Sequence, residues 1–430
     1  MKIKELIEAT GAKVLTEVDK DLDVKISTDT RTIQAGDFYL PLKGASFDGE
    51  KFINQAFEKG AIGAFCTGDN GTLQVQNTLT AYLQLANYRR KKLNFTVVAI
   101  TGSSGKTTTK ELAASVLSEK FRTFKTPLNH NNEIGFCQTI FEAPDDTEIL
   151  VLEMGMRGLG EIELLSKYAE PDITIISNVG TAHIGRLGSR ENIAKAKCEI
   201  VKYQRGNIFI AHDDELIKKT VQFSGKKIFY SIKDVKILEK DTHYSKFEYY
   251  GNIYELNVGG DYNIENALSA INTGLTLGMK VDEIQSGLKK YAPIEKRWEA
   301  VNAGGFEIIN DSYNANPESM RAFIDTIFEL YEKPVVILGD MGELGEDEIK
   351  YHSELGKYIN SHKNLRQDAE ILSIGKLSKY ITDEVKNCPA KHFKTIEQAA
   401  AYLKNKDTKV QLFLKASRSM KFERIIEELK

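Results

Sequence analysis

The sequence predicts an α/β protein built from three domains, and three observations support this prediction. The chain has 430 residues, which is too many for a single compact core. From residue 96 onward, apolar runs typical of buried strands alternate with helical patterns, which favours mostly parallel sheets covered on both faces. A helix that leads out of the first unit near residue 80, and a linker over 293–297, divide the chain. We therefore predict domains over residues 1–80, 81–294 and 295–430.

The composition is that of an ordinary soluble globular protein, with 41% hydrophobic and 28% charged residues. The net charge of −3 gives no electrostatic argument for binding nucleic acid or an anionic membrane. The N-terminal segment lacks the apolar core of a signal peptide, and no apolar run approaches the ~20 residues of a membrane span. The cysteines are widely spaced and fit no metal-binding pattern, so we expect free thiols in a reducing, cytoplasmic compartment.

The first domain is predicted to be a small α/β unit, with helices at 2–9 and 51–59 and a strand at 37–42. Two polar clusters lie beside its strands, where loops often carry binding groups: STDTR at 27–31 and KGASFDG at 43–49. Taken alone, each cluster fits either a turn or a binding site.

The segment TVVAITGSSGKTTT, residues 96–109, predicts a phosphate-binding loop. Residues 96–100 form a β-branched and apolar strand, a loop with two glycines follows, and a helix starts at Lys106. Backbone N–H groups at such a helix start face an anion, the lysine neutralises the distal phosphates, and the Thr107 hydroxyl can bind Mg²⁺. The usual spacing would place a glycine at Ile100. The alternative is a turn whose glycines only relieve backbone strain.

Other candidate residues follow strands at the carboxyl edge of the same predicted sheet, where ligands collect in α/β folds. Glu153 follows the strand at 148–152 and suits a Mg²⁺ ligand, with a solvent-facing loop acid as the alternative. His183 follows the strand at 172–179, and the local pattern leaves it open between a structural and a functional histidine. The polar loop at 126–135 is equally consistent with a turn or a substrate contact.

Two asparagines, Asn263 and Asn266, lie three residues apart at the start of a predicted helix. They either cap the helix or place two amides where a purine could be recognised. The third domain is predicted to be a further, Rossmann-like α/β layer, with its clearest strands at 334–338, 370–374 and 410–414. Its loops contain the polar segments NDSYNANP, residues 310–317, and GDMGELG, residues 339–345.

Together these segments resemble the Mur ligase family. The loop TGSSGKTTT, residues 101–109, is similar to that family's shortened ATP loop, which accounts for Ile100. Further matches fall in the family's order across all three domains, so the collinear set is very specific. They are Glu153, His183 in NVGTAHIGRLGS, Lys197 in AKAKCEI, Asn263, Asn266, Lys296 to Glu299, and Lys415 to Arg418.

The resemblance implies an ATP-driven amide ligase and indicates one branch of the family. The segments DSYNANP and GDMGELG resemble the members that use a dipeptide, so the implied partners are D-alanyl-D-alanine and a UDP-N-acetylmuramoyl-tripeptide. The first domain supports the same branch. Its segments DTR (residues 29–31), GDF (36–38) and DG (48–49) resemble that branch's site for the UDP-linked precursor. Four residues depart from the branch's usual ones: Thr30, Glu50, Cys198 and Ala416.

The alternatives are a sister ligase that adds a single amino acid, a folylpolyglutamate synthase-like ligase, a P-loop kinase or GTPase, and a non-catalytic binding module. The sister ligases would share every ATP residue and differ in the amine. A kinase or GTPase would need no first domain with a sugar-nucleotide site. A binding module would have no reason to keep Lys106, Glu153 and His183 together.

The resemblance also implies roles for individual residues. The implied ATP-binding residues are Gly102, Ser103, Ser104, Gly105, Lys106, Thr107, Thr108, Asn266, Arg297 and Asp311. The implied substrate-binding residues are Thr30, Arg31, Lys43, Asp48, Asn131, Asn132, Asn314 and Asn316. Two Mg²⁺ ions would be held by Thr107 with Glu153 and by His183 with Lys197, and the catalytic residues would be Lys106, Glu153, His183 and Lys197. We expect a monomer that binds neither nucleic acid nor membrane.

A modified lysine is implied in AKAKCEI, and helical periodicity selects which one. In a helix over residues 191–202, Lys197 shares an apolar stripe with Ile193 and Ile200, whereas Lys195 lies about 200° away on the polar face. Burial and cationic neighbours depress the pKa of an inward lysine, so a neutral amine is available to form a carbamate with CO₂. The alternative is a lysine that extends its amine into water.

Overall fold

The computed structural model describes residues 1–44, 47–294, 296–407 and 410–430. Residues 45 and 46 of the predicted 43–49 cluster, and residue 295 of the predicted linker, lie outside the described residues. The predicted α/β class is confirmed, because three sheets with mostly parallel strands are flanked by helices. Within the described ranges, no helix combines the length and the apolar composition that crossing a bilayer requires.

The first sheet has five short strands in the order β1-β5-β4-β3-β2, and only β1 pairs antiparallel to its neighbour. Its elements are α1 (Ile3–Thr10), β1 (Lys13–Val14), β2 (Ile26–Ser27), β3 (Phe38–Tyr39), α2 (Ile53–Glu58), β4 (Gly63–Cys66) and β5 (Leu73–Gln74). The strand predicted at 37–42 is shorter than expected. Leu40 N still donates to Ser27 O at 2.8 Å, but Pro41 has no N–H with which to extend the ladder further.

The central sheet contains six parallel strands in the order β11-β10-β9-β6-β8-β7. Its strands are β6 (Thr96–Thr101), β7 (Thr123–Lys125), β8 (Ile149–Glu153), β9 (Ile173–Ile176), β10 (Ile208–His212) and β11 (Lys226–Tyr230). The helices before, between and after them are α3 (Thr78–Leu93), α4 (Lys106–Leu117), α5 (Glu133–Glu142), α6 (Glu161–Ala169), α7 (Ile184–Leu187), α8 (Arg190–Cys198), α9 (Glu215–Thr220), α10 (Asp261–Thr276) and α11 (Val281–Lys290).

The strand predicted at 172–179 ends early, at Ile176. The next two side chains hold the glycine-containing loop instead of continuing the ladder. Ser177 Oγ donates to Ser104 O at 2.6 Å, and Asn178 Oδ1 accepts from Ser104 N at 2.9 Å. The carboxyl edge of β9 is therefore part of the loop's support.

One element has no counterpart in the sequence predictions: an antiparallel sheet of three strands, β12 (Lys236–Lys240), β13 (Ser245–Tyr249) and β14 (Asn252–Leu256). Its Phe247, Tyr254 and Leu256 are buried in the same core as α10 and α11. The sheet thus covers the helices that pack behind the loop at residues 102–105.

The third sheet has six strands in the order β15-β16-β20-β17-β18-β19, and only the β15–β16 pair is antiparallel. Its elements are β15 (Glu299–Ala303), β16 (Phe306–Asn310), α12 (Pro317–Leu330), β17 (Val335–Gly339), α13 (Glu348–Asn360), β18 (Glu370–Ile374), α14 (Lys379–Thr382), β19 (Ala390–Phe393), α15 (Ile396–Leu403), β20 (Leu412–Lys415) and α16 (Glu423–Leu429). The predicted boundary after residue 80 falls in the first turn of α3, and the three domain limits stay a prediction.

Candidate active site

A cavity of about 730 Å³ lies between the carboxyl edge of the central sheet and the third sheet's loops. It brings together residues predicted from distant parts of the sequence: Ser103, Ser104, Gly105, Lys106, Thr107, Thr108, Asn131, Asn132, Glu153, His183, Asn266, Arg297, Asp311, Asn314 and Asn316. The predicted residues outside its lining are Thr30, Arg31, Lys43, Asp48, Gly102 and Lys197.

In the loop before α4, the backbone at Gly105 lies so close to a neighbouring helix that no side chain would fit. Gly105 has φ 78°, and a Cβ there would lie 2.4 Å from Asn266 Oδ1 on α10. Lys106 is the first residue of α4, as predicted, and its Nζ donates to Gly102 O at 2.9 Å. Burial lowers the pKa of the Lys106 ammonium, and the nearby Glu153 carboxylate opposes that shift. A second negative charge, such as a phosphate, would stabilise this cation further.

Glu153 ends β8 with its side chain buried and pointed at the cavity. Its Oε1 accepts from Asn131 Nδ2 at 2.9 Å, and Lys110 Nζ lies 3.7 Å from Oε2. Oε2 is buried and has no hydrogen-bond partner among the described residues. A buried carboxylate oxygen without a donor is costly, so it fits a site for a cation. Asn132, by contrast, caps α5 through Gly135 N at 2.9 Å.

His183 precedes α7 in a left-handed backbone conformation with φ 67°. Its Nδ1 lies 2.6 Å from Oε2 of Glu343, a residue of the third domain. Despite this short distance, Nδ1 of His183 makes no hydrogen bond of acceptable geometry with any described residue. The His183 imidazole holds the pKa of the Glu343 carboxyl below its usual range. The structure therefore places this histidine at a contact between two domains.

The two lysines of AKAKCEI differ as the periodicity predicts, since Lys197 is buried and Lys195 is exposed. Burial lowers the pKa of Lys197 well below its ordinary value, and the neighbouring ammonium of Lys106 adds to this shift. Both effects favour the neutral amine over the ammonium.

Arg297 reaches from the third domain to the start of α4. Its Nη2 donates to Thr107 Oγ1 at 2.9 Å, and its guanidinium lies 3.9 Å from the centre of the Tyr313 ring. Its Nε is buried and has no partner among the residues described. An arginine stacked on an aromatic ring with a free donor is well placed to bind an anion.

Three further contacts join the third sheet's loops to the cavity. Asp311 pairs with the buried Lys415 at 2.5 Å. Asn316 caps α12 and also donates to Ser104 Oγ at 2.8 Å. Glu318 Oε2 accepts from the N–H and the hydroxyl of Thr181 at 3.0 and 2.8 Å. Loops of the third sheet are thus docked on the loop before α4 and on the turn at Thr181.

Two family models match the chain: the Mur ligase middle domain over residues 100–274, and the Mur ligase glutamate ligase domain over residues 296–418. A UDP-N-acetylmuramoyl-tripeptide–D-alanyl-D-alanine ligase of Bacillus subtilis is 35% identical, covering 99% of this chain and 97% of that protein. The chain belongs to the Mur ligase family. Within it, the chain falls in the branch of the UDP-N-acetylmuramoyl-tripeptide–D-alanyl-D-alanine ligases, which are called MurF.

Solved structures agree with this assignment. A crystal structure of MurF from Acinetobacter baumannii has a TM-score of 0.88 and 28% identity, covering 100% of this chain and 98% of that one. MurF from Thermotoga maritima in complex with ADP has a TM-score of 0.84 and 28% identity, covering 96% and 98%. The expected enzyme class, an ATP-dependent ligase, is confirmed for this Mur ligase.

The first domain of this Mur ligase carries four of the predicted substrate-binding residues, of which Arg31 and Lys43 are exposed and Thr30 is buried. Arg31 makes a bidentate interaction with Asp29, in which Nε donates to Oδ1 at 3.0 Å and Nη2 donates to Oδ2 at 2.7 Å. Lys43 lies 3.4 Å from Asp48, and Thr30 Oγ1 donates to Gln55 at 3.2 Å. These side chains hold one another in place rather than lining the cavity.

Several cavity residues were missed from the sequence. They are Ser177, Asn178, His212, Tyr262, Glu265, Tyr313, Glu318, Glu343 and Lys415. Tyr313, Glu343 and Lys415 lie in segments singled out as motifs, so position within a motif was an available signal. Glu318 and His212 had no such signal, because their place in the cavity depends on how the domains pack.

Proposed function

We propose that this Mur ligase joins D-alanyl-D-alanine to a UDP-N-acetylmuramoyl-tripeptide with the energy of ATP, in the synthesis of peptidoglycan precursors. The observation that supports this most is the single cavity itself. It holds the phosphate-binding loop with Lys106 on one wall and the NDSYNANP loop, with Asn314 and Asn316, on the other. An activated acid and an amine could therefore meet there.

The chemistry needs an activated acid, because a carboxylate is a poor electrophile. A carboxylate oxygen of the tripeptide attacks the γ-phosphorus of ATP, ADP leaves, and an acyl phosphate forms. The amine of D-alanyl-D-alanine then attacks the acyl carbon, the tetrahedral intermediate collapses, and phosphate leaves. The protein supplies positioning and charge neutralisation for both steps.

The cations of the cavity are assigned to the phosphates. Lys106 would contact the β- and γ-phosphates, and Arg297, with its unpartnered Nε, would contact the γ-phosphate. Gly102, Ser103, Ser104, Gly105, Thr107 and Thr108 would supply N–H groups and hydroxyls around them. Asn266 would contact adenine, and Asp311 the ribose or the closing third domain.

Two Mg²⁺ ions fit the donor groups, one at Thr107 with Glu153 and one at His183 with a carbamylated Lys197. The orphan Oε2 of Glu153 supports the first site. No cluster of three His, Cys, Asp or Glu side chains occurs in the part of the chain that the structure describes, so phosphate oxygens, water and the carbamate would complete the ligand sets. When bound, Mg²⁺ would offset the negative charge of the phosphates.

The carbamate is proposed because Lys197 is buried beside Lys106 and its amine pKa is lowered. The neutral amine adds to CO₂ and releases a proton, so a cation is replaced by an anion. Replacing the ammonium of Lys197 by an anion relieves its repulsion with Lys106.

The UDP end of the precursor is assigned to Thr30, Arg31, Lys43 and Asp48 in the first domain. Asn131 and Asn132 at the cavity wall would then contact the peptide end. We place the enzyme in the cytoplasm as a monomer, a location supported by the free thiols of Cys66, Cys137, Cys198 and Cys388.

The test is phosphate release with a panel of UDP-muramyl peptides, each supplied with D-alanyl-D-alanine, D-alanine or L-alanine. The proposal expects the dipeptide to support turnover far better than either amino acid, and no release without an amine or without a UDP-peptide. Preference for a single amino acid would move the chain to a sister activity. Release that needs no amine would indicate a nucleotide hydrolase.

A further inference from the structure

The residues 343–345, at the end of the GDMGELG segment, touch the central domain at the turn that carries His183. Gly185 N donates to Glu343 O at 3.2 Å. A Cβ on Gly185 would lie 2.5 Å from Gly345 N, and a Cβ on Gly345 would lie 2.7 Å from Gly185 Cα. Two glycines therefore let the backbones of the two domains meet directly, and no side chain can fit between them.

The side chains of Glu343 and His183 meet beside this glycine contact, with Oε2 2.6 Å from Nδ1. Both residues have positive φ, 63° and 67°, a conformation that residues with a Cβ rarely adopt. Strain of this kind persists only where the surroundings enforce it, and it is typical of functional sites. Here it directs one residue from each domain at the other.

The segment is anchored to its own domain by a buried histidine. Met341 N donates to Nε2 of His352 at 2.9 Å, and Nδ1 of His352 lies 2.7 Å from Glu348 O. Burial lowers the pKa of His352, so the neutral ring accepts at one nitrogen and donates at the other. Met341 and Leu344 are buried as well. The backbone on both sides of Glu343 is therefore anchored to the third domain.

We propose that residues 343–345 form a latch between the two domains. When the third domain docks through the Gly185–Gly345 contact, Glu343 acts as a positioning residue that orients the imidazole of His183. The inference rests on the proposed function, in which His183 holds the second Mg²⁺. Docking supplies the carboxylate that fixes the imidazole, and it also brings the NDSYNANP loop to the cavity. One movement thus completes the metal site and the amine site together, which limits use of ATP before the third domain is in place.

The experiment compares three variants with wild type in three measurements. Gly185→Ala adds a methyl at the backbone contact, Glu343→Gln removes the charge of a side chain that is 55% exposed, and Gly342→Ala is the matched control. A Cβ on Gly342 meets only Ser417 Oγ, at 3.5 Å, so this control adds a methyl just outside the latch. The measurements are affinity for a non-hydrolysable ATP analogue, domain closure by small-angle scattering, and kcat with its Mg²⁺ dependence.

Gly185→Ala is expected to lose the closed population and to lower kcat at least about tenfold. It should also bind the analogue several-fold more weakly, because the contacts that the third domain adds to the nucleotide are lost with the closed form. Glu343→Gln is expected to close normally, because the backbone contact is intact. Its kcat should fall about 10–100-fold, with a higher Mg²⁺ concentration for half-maximal rate, as for a lost partner of a metal-binding histidine. Gly342→Ala should match wild type in all three measurements.

Normal closure and kcat in Gly185→Ala, or a wild-type kcat and Mg²⁺ dependence in Glu343→Gln, would overturn the latch. If Gly185→Ala does not fold, Glu343→Gln decides alone. The proposed function fails separately, when wild type itself releases no phosphate with the UDP-tripeptide and the dipeptide. The closure measurement still distinguishes Gly185→Ala from Gly342→Ala in that event.

Discussion

At the residue scale, the cavity concentrates positive charge where phosphate would bind. Lys106 and Arg297 approach it from two domains, and neither makes an ion pair with any residue that the structure describes. Lys106 donates to a backbone carbonyl, and Arg297 stacks on Tyr313. Cations arranged in this way keep their charge available for a ligand, at the cost of repelling each other when no anion is present.

Lys106→Ala is expected to lower kcat by about 10²–10³-fold or more, because it removes a cation aimed at the transferred phosphoryl group. The fold should persist, because the side chain of Lys106 lines the cavity and does not lie in an apolar core. Phosphate release with saturating substrates measures the loss, and circular dichroism checks the fold. Lys236→Ala, at a lysine whose side chain is 74% exposed, is the control. Activity of Lys106→Ala within threefold of wild type would reject the assignment.

Lys197→Ala is expected to abolish turnover, whereas Lys195→Ala should retain it, because only Lys197 faces inward. Small carboxylates such as acetate should partly rescue Lys197→Ala by replacing the carbamate oxygens. Depletion of CO₂ from the buffer should lower wild-type activity reversibly and leave Lys197→Ala unchanged. Loss of activity in Lys195→Ala alone, or an unmodified Lys197 in a well-resolved crystal structure at neutral pH, would contradict the carbamate.

At the element scale, α4 connects the phosphate-binding loop to the rest of the central domain. It is buried along most of its length and packs against both α10 and α11. Asn266 on α10 lies against Gly105, and Thr109 on α4 donates to Asn266 Oδ1 at 3.2 Å. The position of the loop therefore depends on how closely these three helices pack.

Gly287→Ala in α11 tests this packing. Alanine favours a helix by about 1 kcal/mol over glycine, but overpacking a tight contact costs about 1–3 kcal/mol. Here a Cβ would lie 2.4 Å from Val116 Cα on α4, and backbone yields less than a side chain. We expect a net loss of unfolding free energy and a lower denaturation midpoint. Gly158→Ala is the control, because its nearest contact would be Glu161 Oε1 at 3.9 Å. An unchanged or higher midpoint for Gly287→Ala would contradict the packing argument.

At the scale of the whole molecule, the active cavity exists only between domains. Arg297, Asn316 and Glu318 of the third domain contact Thr107, Ser104 and Thr181 of the central one. These contacts are polar and can be remade when substrates enter and products leave. Beside them, the Trp298 ring of the third domain packs edge-on against Tyr262 of the central domain, within an apolar core that includes residues of both.

The third domain should therefore move about the linker near residues 293–297. A nucleotide that is bound by both domains favours the docked form, because it gains contacts there that the open form lacks. Small-angle scattering should show a smaller radius of gyration with an ATP analogue plus UDP-tripeptide than without ligands. Identical scattering profiles under the two conditions would count against the movement.

Features that depend on neighbours along the chain could be predicted from the amino-acid sequence. The strand–loop–helix unit around Lys106, the position of Glu153 at a strand end and the burial of Lys197 rather than Lys195 all follow from periodicity over a few residues. The α/β class and the family followed from the same local patterns taken in order. Strand limits were less certain, as β9 shows, because side chains at strand ends were recruited to support the loop.

Which residues face each other across the cavity depends on the packing of the domains and could not be predicted. The antiparallel sheet β12–β14 was missed, and the stack of Arg297 on Tyr313 and the approach of Glu343 to His183 join residues far apart in the chain. Local pattern carries no information on such pairs, because they depend on how three separately folded layers dock. Most helices and strands thus follow from short-range periodicity in the sequence, whereas the complete site forms only when the domains pack together.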